Sequence, residues 1–537
     1  MGNKILLKNI FFILTWIFGF ILLLNITSCR KDFSPSWEAD FLIPLVNTTM
    51  GIDDILTDSI LYVNPDNSIS LLYRNNIYSF AADSIFSFPD TITGNVYSLP
   101  LTVTVPPGQT LINLQEVKKL NFGSANIFIT DIKSGFVNFK IVNDLKEGVI
   151  CNYKIPSALK NGNIFEINEF IPPASTSTNI FEKKIDISGF HIDFRGPNFL
   201  NSNRISTSFT ATINPNGNPV QITPQDSLKI YVTFDNLQFN YVKGYFGQTS
   251  HSFGPDTTSI NLFTKIINGN FSVEKVKAIL TVENSIGVDA SVIFNHLTAI
   301  NSHTNQSINL VSPLIGKTVN ITRAVETGLI DSPVKPSVYN YDLSTGNIIS
   351  LIENMPDYIS YSAKLEANPL GNVSSGNDFV YYKNGLKSYL NFEIPLSLIA
   401  NNLTIVDTFD VNFSNDIRNI SKGVIYLDVE NFFPFSANVE LSFLNKNENL
   451  NDNFYCSGTI LPAELNASYI VITPVKSYIK IDIPPEKTEI LKNSKRLIIK
   501  AKFNTASQTH HIKLFNDYKL NIKISANFKY TVNTEEF

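Results

Sequence analysis

Residues 134–155 read SGFVNFKIVNDLKEGVICNYKI. Apolar and polar side chains alternate through Phe136–Val142 and again from Val149 onward. Successive side chains of an extended chain point to opposite faces, so this pattern buries one face and solvates the other. Between the two runs stands Asn143, a residue whose amide bonds nearby backbone and tolerates turn geometry. The stretch reads as two antiparallel strands around a turn. The arrangement returns as VEKVKAILTVENSIGVDASVIF over 273–294 and SKGVIYLDVENFFPFSANVELSFL over 421–444. Asn284 and Asn431 take the place of Asn143, at separations of 141 and 147 residues.

A second mark recurs in the same order. It reads ISTSFTATINPNG from Ile205, ISYSAKLEANPLG from Ile359 and LIIKAKFNTASQ from Leu497. Two marks with common order and spacing define a repeating unit of about 145 residues. The chain accordingly divides into a leader at 1–28, a tether at 29–40 and an N-terminal β-rich region at 41–115. Three β repeats follow at 116–255, 256–405 and 406–537. The expected fold class is all-β: tandem antiparallel β-sandwich-like modules with very little helix. Further strands are expected at Lys229–Phe234 and Tyr518–Phe528. One helix is expected over Ser344–Met355, stopped by Pro356, with a short helical turn over 51–56.

Composition supports sheets, with 40 Phe and 21 Tyr. The 42 basic and 47 acidic side chains leave a net charge of −5, and no long basic run follows the leader. Nucleic acid is thereby excluded as an expected partner, because phosphate binding needs clustered cations. Three cysteines are too few for a disulfide scaffold. Cys151 and Cys456 are either two buried thiols or one disulfide joining distant segments.

At the N-terminus, Lys4 and Lys8 precede an apolar run from Ile10 to Leu24. Ile26, Thr27, Ser28 and Cys29 follow, then Arg30, Lys31 and Asp32. A charged start, a short apolar core and small residues before a cut site make an export signal. The run of about 15 apolar residues is short of the ~20 that a spanning helix needs. Ile26–Cys29 resembles the lipobox of bacterial lipoproteins. That resemblance implies that Cys29 becomes the first residue of the mature chain. It would carry a diacylglycerol on sulfur and usually a third acyl chain, such as palmitate, on its amine. Two or more chains anchor a protein stably. Lys31–Asp32 resembles the charged tethers of surface lipoproteins in Bacteroidota. With the Asn/Lys/Phe/Ile-rich composition, the whole chain resembles the large β-rich outer-membrane lipoproteins of that phylum. The resemblance implies a lipid-anchored outer-membrane location on either leaflet and transfers no functional residue but Cys29. Locally, ENSIGVDASV and ENFFPFSANV resemble the hairpin of the water-stress and late-embryogenesis β-sandwich domains. The first repeat departs from it, with Asp144–Glu147 and no proline.

The candidate binding surface lies in FDNLQFNYVKGYFGQTSHSFG, from Phe234 to Gly254. Phe239, Tyr241, Tyr245 and Phe246 stand there beside Lys243 and two glycines. Aromatic platforms flanked by polar groups suit glycan stacking or protein docking; a core strand followed by a hairpin loop gives the same pattern. A second aromatic set, Phe432, Phe433 and Phe435 around Pro434, fits core filling at a sandwich end. The six histidines show no metal-site spacing, and no nucleophile elbow or phosphate loop occurs. Asp226, Asp235, Asp289 and Asp428 read as turn caps or solvated positions. No catalytic residue, metal or cofactor is expected. The functional expectation is a non-enzymatic envelope module that binds or scaffolds, its partner another envelope protein or a surface polysaccharide. The alternatives are a lipid carrier with an apolar β groove and a surface glycan hydrolase.

Overall fold

A computed structural model describes residues 36–533, except 53–60, 82–83, 175–178, 264–265, 411–419, 446–449 and 489–493. Cys29 therefore lies outside the described residues. The fold is nearly all β, in several antiparallel sheets, as expected. Contacts separate two units. One holds the first strand with residues 401–506 and those from Asp517 onward; the other holds residues from Leu61 to Ala400 with Ser507–Asn516.

Three long strands precede the modules: β1 (Ser36–Gly51), β2 (Ile69–Ala81) and β3 (Thr91–Ser98). Module one follows with β4 (Thr110–Lys119), β5 (Asn126–Asn143), β6 (Val149–Lys160), β7 (Asn163–Ile171), β8 (Ile180–Asp186), β9 (Arg204–Ile213) and β10 (Ser227–Tyr245). Module two has β11 (Thr249–Ser259), β12 (Lys277–Asn284), β13 (Ala290–Asn301), β14 (Gln306–Asn309), β15 (Thr318–Ile321), β16 (Ser337–Asp342), helix α1 (Ile348–Glu353), β17 (Tyr358–Ala367) and β18 (Gly385–Pro395). Module three has β19 (Ser397–Asp410), β20 (Ile420–Asn431), β21 (Phe435–Asn445), β22 (Leu450–Ile460), β23 (Val475–Ile483), β24 (Ser494–Thr505) and β25 (Lys519–Asn533).

One pairing scheme runs through all three modules. The first sheet has the order β3-β10-β5-β8 in module one, β2-β18-β12-β16 in module two and β1-β25-β20-β23 in module three. The second has β4-β9-β6-β7, then β11-β17-β13 with β14 and β15, then β19-β24-β21-β22. The three leading strands thus complete the modules in reverse order. Apolar residues of both sheets meet inside each sandwich. In module three Ile425, Val429 and Ile479 pack with Ala437, Ile460 and Phe503.

The marker asparagines are buried keystones at 0%, 1% and 1% exposure. Asn143 Nδ2 donates to the Glu147 and Pro172 carbonyls at 3.0 and 2.9 Å, and its Oδ1 accepts the Leu145 N–H at 3.1 Å. Asn284 holds the Val288 and Thr322 carbonyls and the Ile286 N–H at 3.1, 2.9 and 3.0 Å. Asn431 holds those of Phe435, Leu461 and Phe433 at 2.8, 2.7 and 2.8 Å. An alanine N–H closes each clamp, from Ala174 to the Leu145 carbonyl, Ala324 to Ile286 and Ala463 to Phe433. The N–H after each asparagine binds the first carbonyl of the module's last strand, at Ser227, Gly385 or Lys519. The second sequence mark keeps register too. Ile213, Ala367 and Phe503, each followed by an asparagine, pair with Val149, Ala290 and Ala437.

The expected helix at 344–355 shortens to α1 because Asp342 accepts the Ser344 N–H at 2.8 Å and holds the approach in a turn. Of the helical turn expected at 51–56, Gly51 instead ends β1 and Ile52 is helical; the other four residues lie outside the described ones. Phe433 is buried and stacks on Phe435 at 6.1 Å, so this aromatic set fills the end of module three.

Candidate functional site

The aromatic stretch from Phe234 supplies a core rather than a surface at two of its four candidate positions. Phe239 and Phe246 are each 3% exposed. Phe246 stacks on Phe86 at 5.6 Å, and Phe239 lies 6.4 Å from the same ring. Phe88, Phe122 and Phe194 extend this buried cluster at spacings of 5.3 Å. Tyr241 and Tyr245 are half-buried. Tyr241 donates its hydroxyl to Glu326 at 2.7 Å, and Lys243 binds the other Glu326 oxygen at 2.9 Å. Burial and the neighbouring Glu326 carboxylate push the Tyr241 phenol above its ordinary value. Tyr245 pairs in register with Asn126.

That pairing leads to the largest concavity described, a polar cleft of about 720 Å³. Three turn segments form it: Lys119–Phe128, Leu200–Arg204 and the loop at Asn372 and Gly376. The aromatic cluster is its foundation, because Phe122 lies between the lining residues Asn121 and Gly123. Asn203 is 7% exposed and fixes the floor. Its Oδ1 accepts the Ile127 N–H and its Nδ2 donates to the Ala125 carbonyl, both at 2.7 Å. Two glycines permit the close packing. A side chain on Gly244 would meet the Asn126 carbonyl at 2.3 Å, and one on Gly376 (φ +80°) would meet the Phe128 ring at 2.5 Å. Phe199, Asn203 and Ser375 all take positive φ around the cleft, at 55°, 56° and 54°. Left-handed backbone at non-glycine residues costs free energy and collects where a particular loop shape is held. Asn121, Asn126, Asn201 and Asn372 expose amides to the space, and Leu200 stands 87% exposed at its rim. Sequence reading missed these residues. The signal was present as three Asn/Ser/Gly-rich turns, NFGSAN, GPNFLNSNR and NVSSGN.

The voids described between the sheets of modules one and two are small. The void between the sheets of module two, beside Leu280, Val292 and Leu365, is about 30 Å³. Its counterpart in module one, beside Val137, Ile155 and Ile205, is about 10 Å³. A water needs about 10–15 Å³ of such space, so neither void holds an acyl chain or forms a carrier's groove. Three of the four candidate acids are engaged, and Asp428 is a half-buried position in β20. Asp226 caps Thr223 through its N–H and hydroxyl at 2.7 and 2.9 Å, Asp235 lies 3.7 Å from Lys184, and Asp289 pairs with Arg323 at 2.6 Å. Ser302 donates directly to Asp357, and His303 stands 3.9 Å from that carboxylate, so this histidine does not bridge serine and acid. His191 sits in a short strand and bonds Asp131 at 2.7 Å.

Cys151 is free, and burial pushes its thiol up to about 12. Thiolates react and thiols do not, so iodoacetamide at pH 8 is expected to label Cys151 in a soluble C456S chain only after denaturant is added. Labelling of the folded chain would contradict this burial.

No family model matches the chain, and no curated protein does. Among solved structures, a "putative secreted protein" from Parabacteroides distasonis ATCC 8503 is similar at 11% identity and a TM-score of 0.26, covering 91% of this chain and 99% of that one. A structure of infectious bursal disease virus Gx strain is similar at 8% identity and a TM-score of 0.10, covering 86% and 83%. At these scores neither likeness bears on fold or function.

Proposed function

We propose that the chain is a non-enzymatic lipoprotein, anchored at the outer membrane through acylated Cys29, that binds a surface polysaccharide in the polar cleft of module one. The observation that carries this is the cleft itself, about 720 Å³ and lined by asparagine amides over a rigid aromatic base. The volume lies within the range of small-ligand sites, about 300–1,000 Å³. The amide Nδ2 groups can donate to the hydroxyls of a sugar, while the Oδ1 atoms of Asn121, Asn126 and Asn372 already accept from the Gly123 N–H, the Ser202 hydroxyl and the Gly376 N–H and hold the loops in shape. Leu200 provides apolar surface at the rim for a sugar's C–H face.

Binding of oligosaccharides to the soluble region 30–537 tests the reading. An N201A/N372A variant is expected to lose at least about tenfold in affinity, the scale of one or two hydrogen bonds, with an unchanged circular dichroism spectrum. Failure of every glycan class to bind would overturn it. The anchor is tested separately. The natural chain is expected to incorporate labelled palmitate and sediment with membranes, and C29A to do neither. Equal labelling of both proteins would rule out Cys29 as the attachment point.

A further inference from the structure

We infer that the cleft selects an acidic glycan, with Arg204 and Lys119 gripping an anionic group on the sugar. This rests on the glycan reading above and adds the ligand's charge. Arg204 in β9 and Lys119 in β4 are directly opposite in register, and both are exposed at the cleft. Directly opposed like charges repel across a strand pair, so this arrangement costs stability. Several other cations of module one meet acids, and Lys133 and Lys160 are taken up by the Tyr382 ring and the Ser188 carbonyl. Lys140 pairs with Glu182 at 2.5 Å, Lys154 with Glu166 at 3.0 Å and Arg195 with Asp193 at 2.6 Å. A shallower groove of about 240 Å³ on module two differs in holding a carboxylate, with Lys277 on Glu393 at 3.2 Å, while its Arg74 is covered by the Tyr389 ring at 4.0 Å. Neither Arg204 nor Lys119 has an acidic partner among the described residues. The cleft lining carries these two cations and no carboxylate, in a chain whose net charge is −5.

The cations also stand on fixed backbone. The Leu120 N–H donates to the Asn203 carbonyl at 2.7 Å, and the Arg204 N–H donates to Phe194 at 2.8 Å. The residues next to each cation are thereby pinned to the same floor. A planar guanidinium binds a carboxylate or sulfate through two parallel hydrogen bonds, and an ammonium adds an adjacent point charge. Exposed Asn126 and Asn201 lie beside them for neighbouring hydroxyls. A uronic acid and a sulfated sugar share this chemistry.

The test is calorimetry of the soluble region 30–537 against three oligosaccharides of matched length: polygalacturonate, chondroitin sulfate and neutral galactan. At least one acidic oligomer is expected to bind tenfold or more tightly than the neutral one, and the stronger acidic arm identifies the anion. Its affinity should fall as salt is raised from 50 to 300 mM, since exposed charges are screened. A K119Q/R204Q variant should bind the acidic and neutral oligomers with similar affinity, and relief of the opposed charges should leave its melting temperature no lower than that of the natural sequence. Equal binding of all three oligomers, with no effect of the variant, overturns the acidic selection and leaves the glycan reading standing. Absence of binding in every arm removes both. Displacement of the acidic oligomer by equimolar inorganic phosphate also overturns the selection, because it marks a general anion site.

Discussion

An Arg323→Met chain is expected to lose about 3–5 kcal/mol of stability, the cost of stranding a buried charge. Asp378 is fully buried, and the Arg323 guanidinium reaches it at 3.2 Å while holding Asp289 at 2.6 Å. The remaining Asp378 oxygen accepts from Asn368 Nδ2 at 2.7 Å and from the Phe246 N–H at 3.4 Å. Without the guanidinium, two neutral donors face a full carboxylate in a site closed to water. The position matters as much as the charge. Asp378 opens a four-residue strand, Asp378–Tyr381, that pairs with the far end of β10. It follows directly on the loop whose Asn372 and Gly376 line the cleft. Urea denaturation followed by circular dichroism measures the loss. The double variant R323M/D378N should recover most of it, because an amide keeps the hydrogen-bonding shape and removes the stranded charge. A loss under about 1 kcal/mol in R323M, or a double variant no better than the single, would show that the pair is not what holds this strand.

The same network shows what a sequence encodes locally and what it does not. Strand alternation and the three asparagines were legible because both are patterns within about ten residues. The partners of β1, β2 and β3 were not. Ser36 pairs with Asn533, and β2 and β3 pair with β18 and β10. Edge pairing is decided by free backbone groups, and β3 alternates only between half-buried and exposed positions. The Ala174, Ala324 and Ala463 clamps were written in the chain, yet each lies a strand or more beyond its asparagine. In the aromatic stretch the sequence left platform and core strand undecided for a definite reason. The pairing of β10 with β5 shifts register three times between Asp235 and Tyr241. Each shift changes which face a side chain takes, so counting alternate residues across it cannot separate Phe239, which is buried, from an exposed platform. The cleft was the least legible feature. Its lining converges from segments near residues 120, 200 and 372, and any one of them reads as an ordinary turn.

Asn431→Ala is expected to cost about 3 kcal/mol, since it leaves two carbonyls and one N–H without partners where water has little access. The three bonds it removes run to the turn at Phe433 and Phe435 and to Leu461 at the end of β22. One side chain thus holds the hairpin between β20 and β21 against the strand that follows it. Asn143→Ala and Asn284→Ala remove the corresponding bonds in modules one and two, so losses of the same order are expected there. Aspartate distinguishes a hydrogen-bonding role from simple filling of space. It has the shape of asparagine but presents acceptors to two carbonyls that need a donor. N431D should therefore be less stable than N431A at neutral pH, although it deletes no heavy atom. Urea denaturation followed by circular dichroism measures each loss. If N431D matched the natural chain, the buried amide would be a space-filler, and the threefold recurrence of its bonds would need another cause. If N431A cost 3 kcal/mol but N143A and N284A cost under about 0.5, the clamp would support one module and be ornamental in the others. The shared bond pattern, from the same atoms to the same positions in all three modules, argues for a common structural requirement at the point where each module's second strand turns into its third.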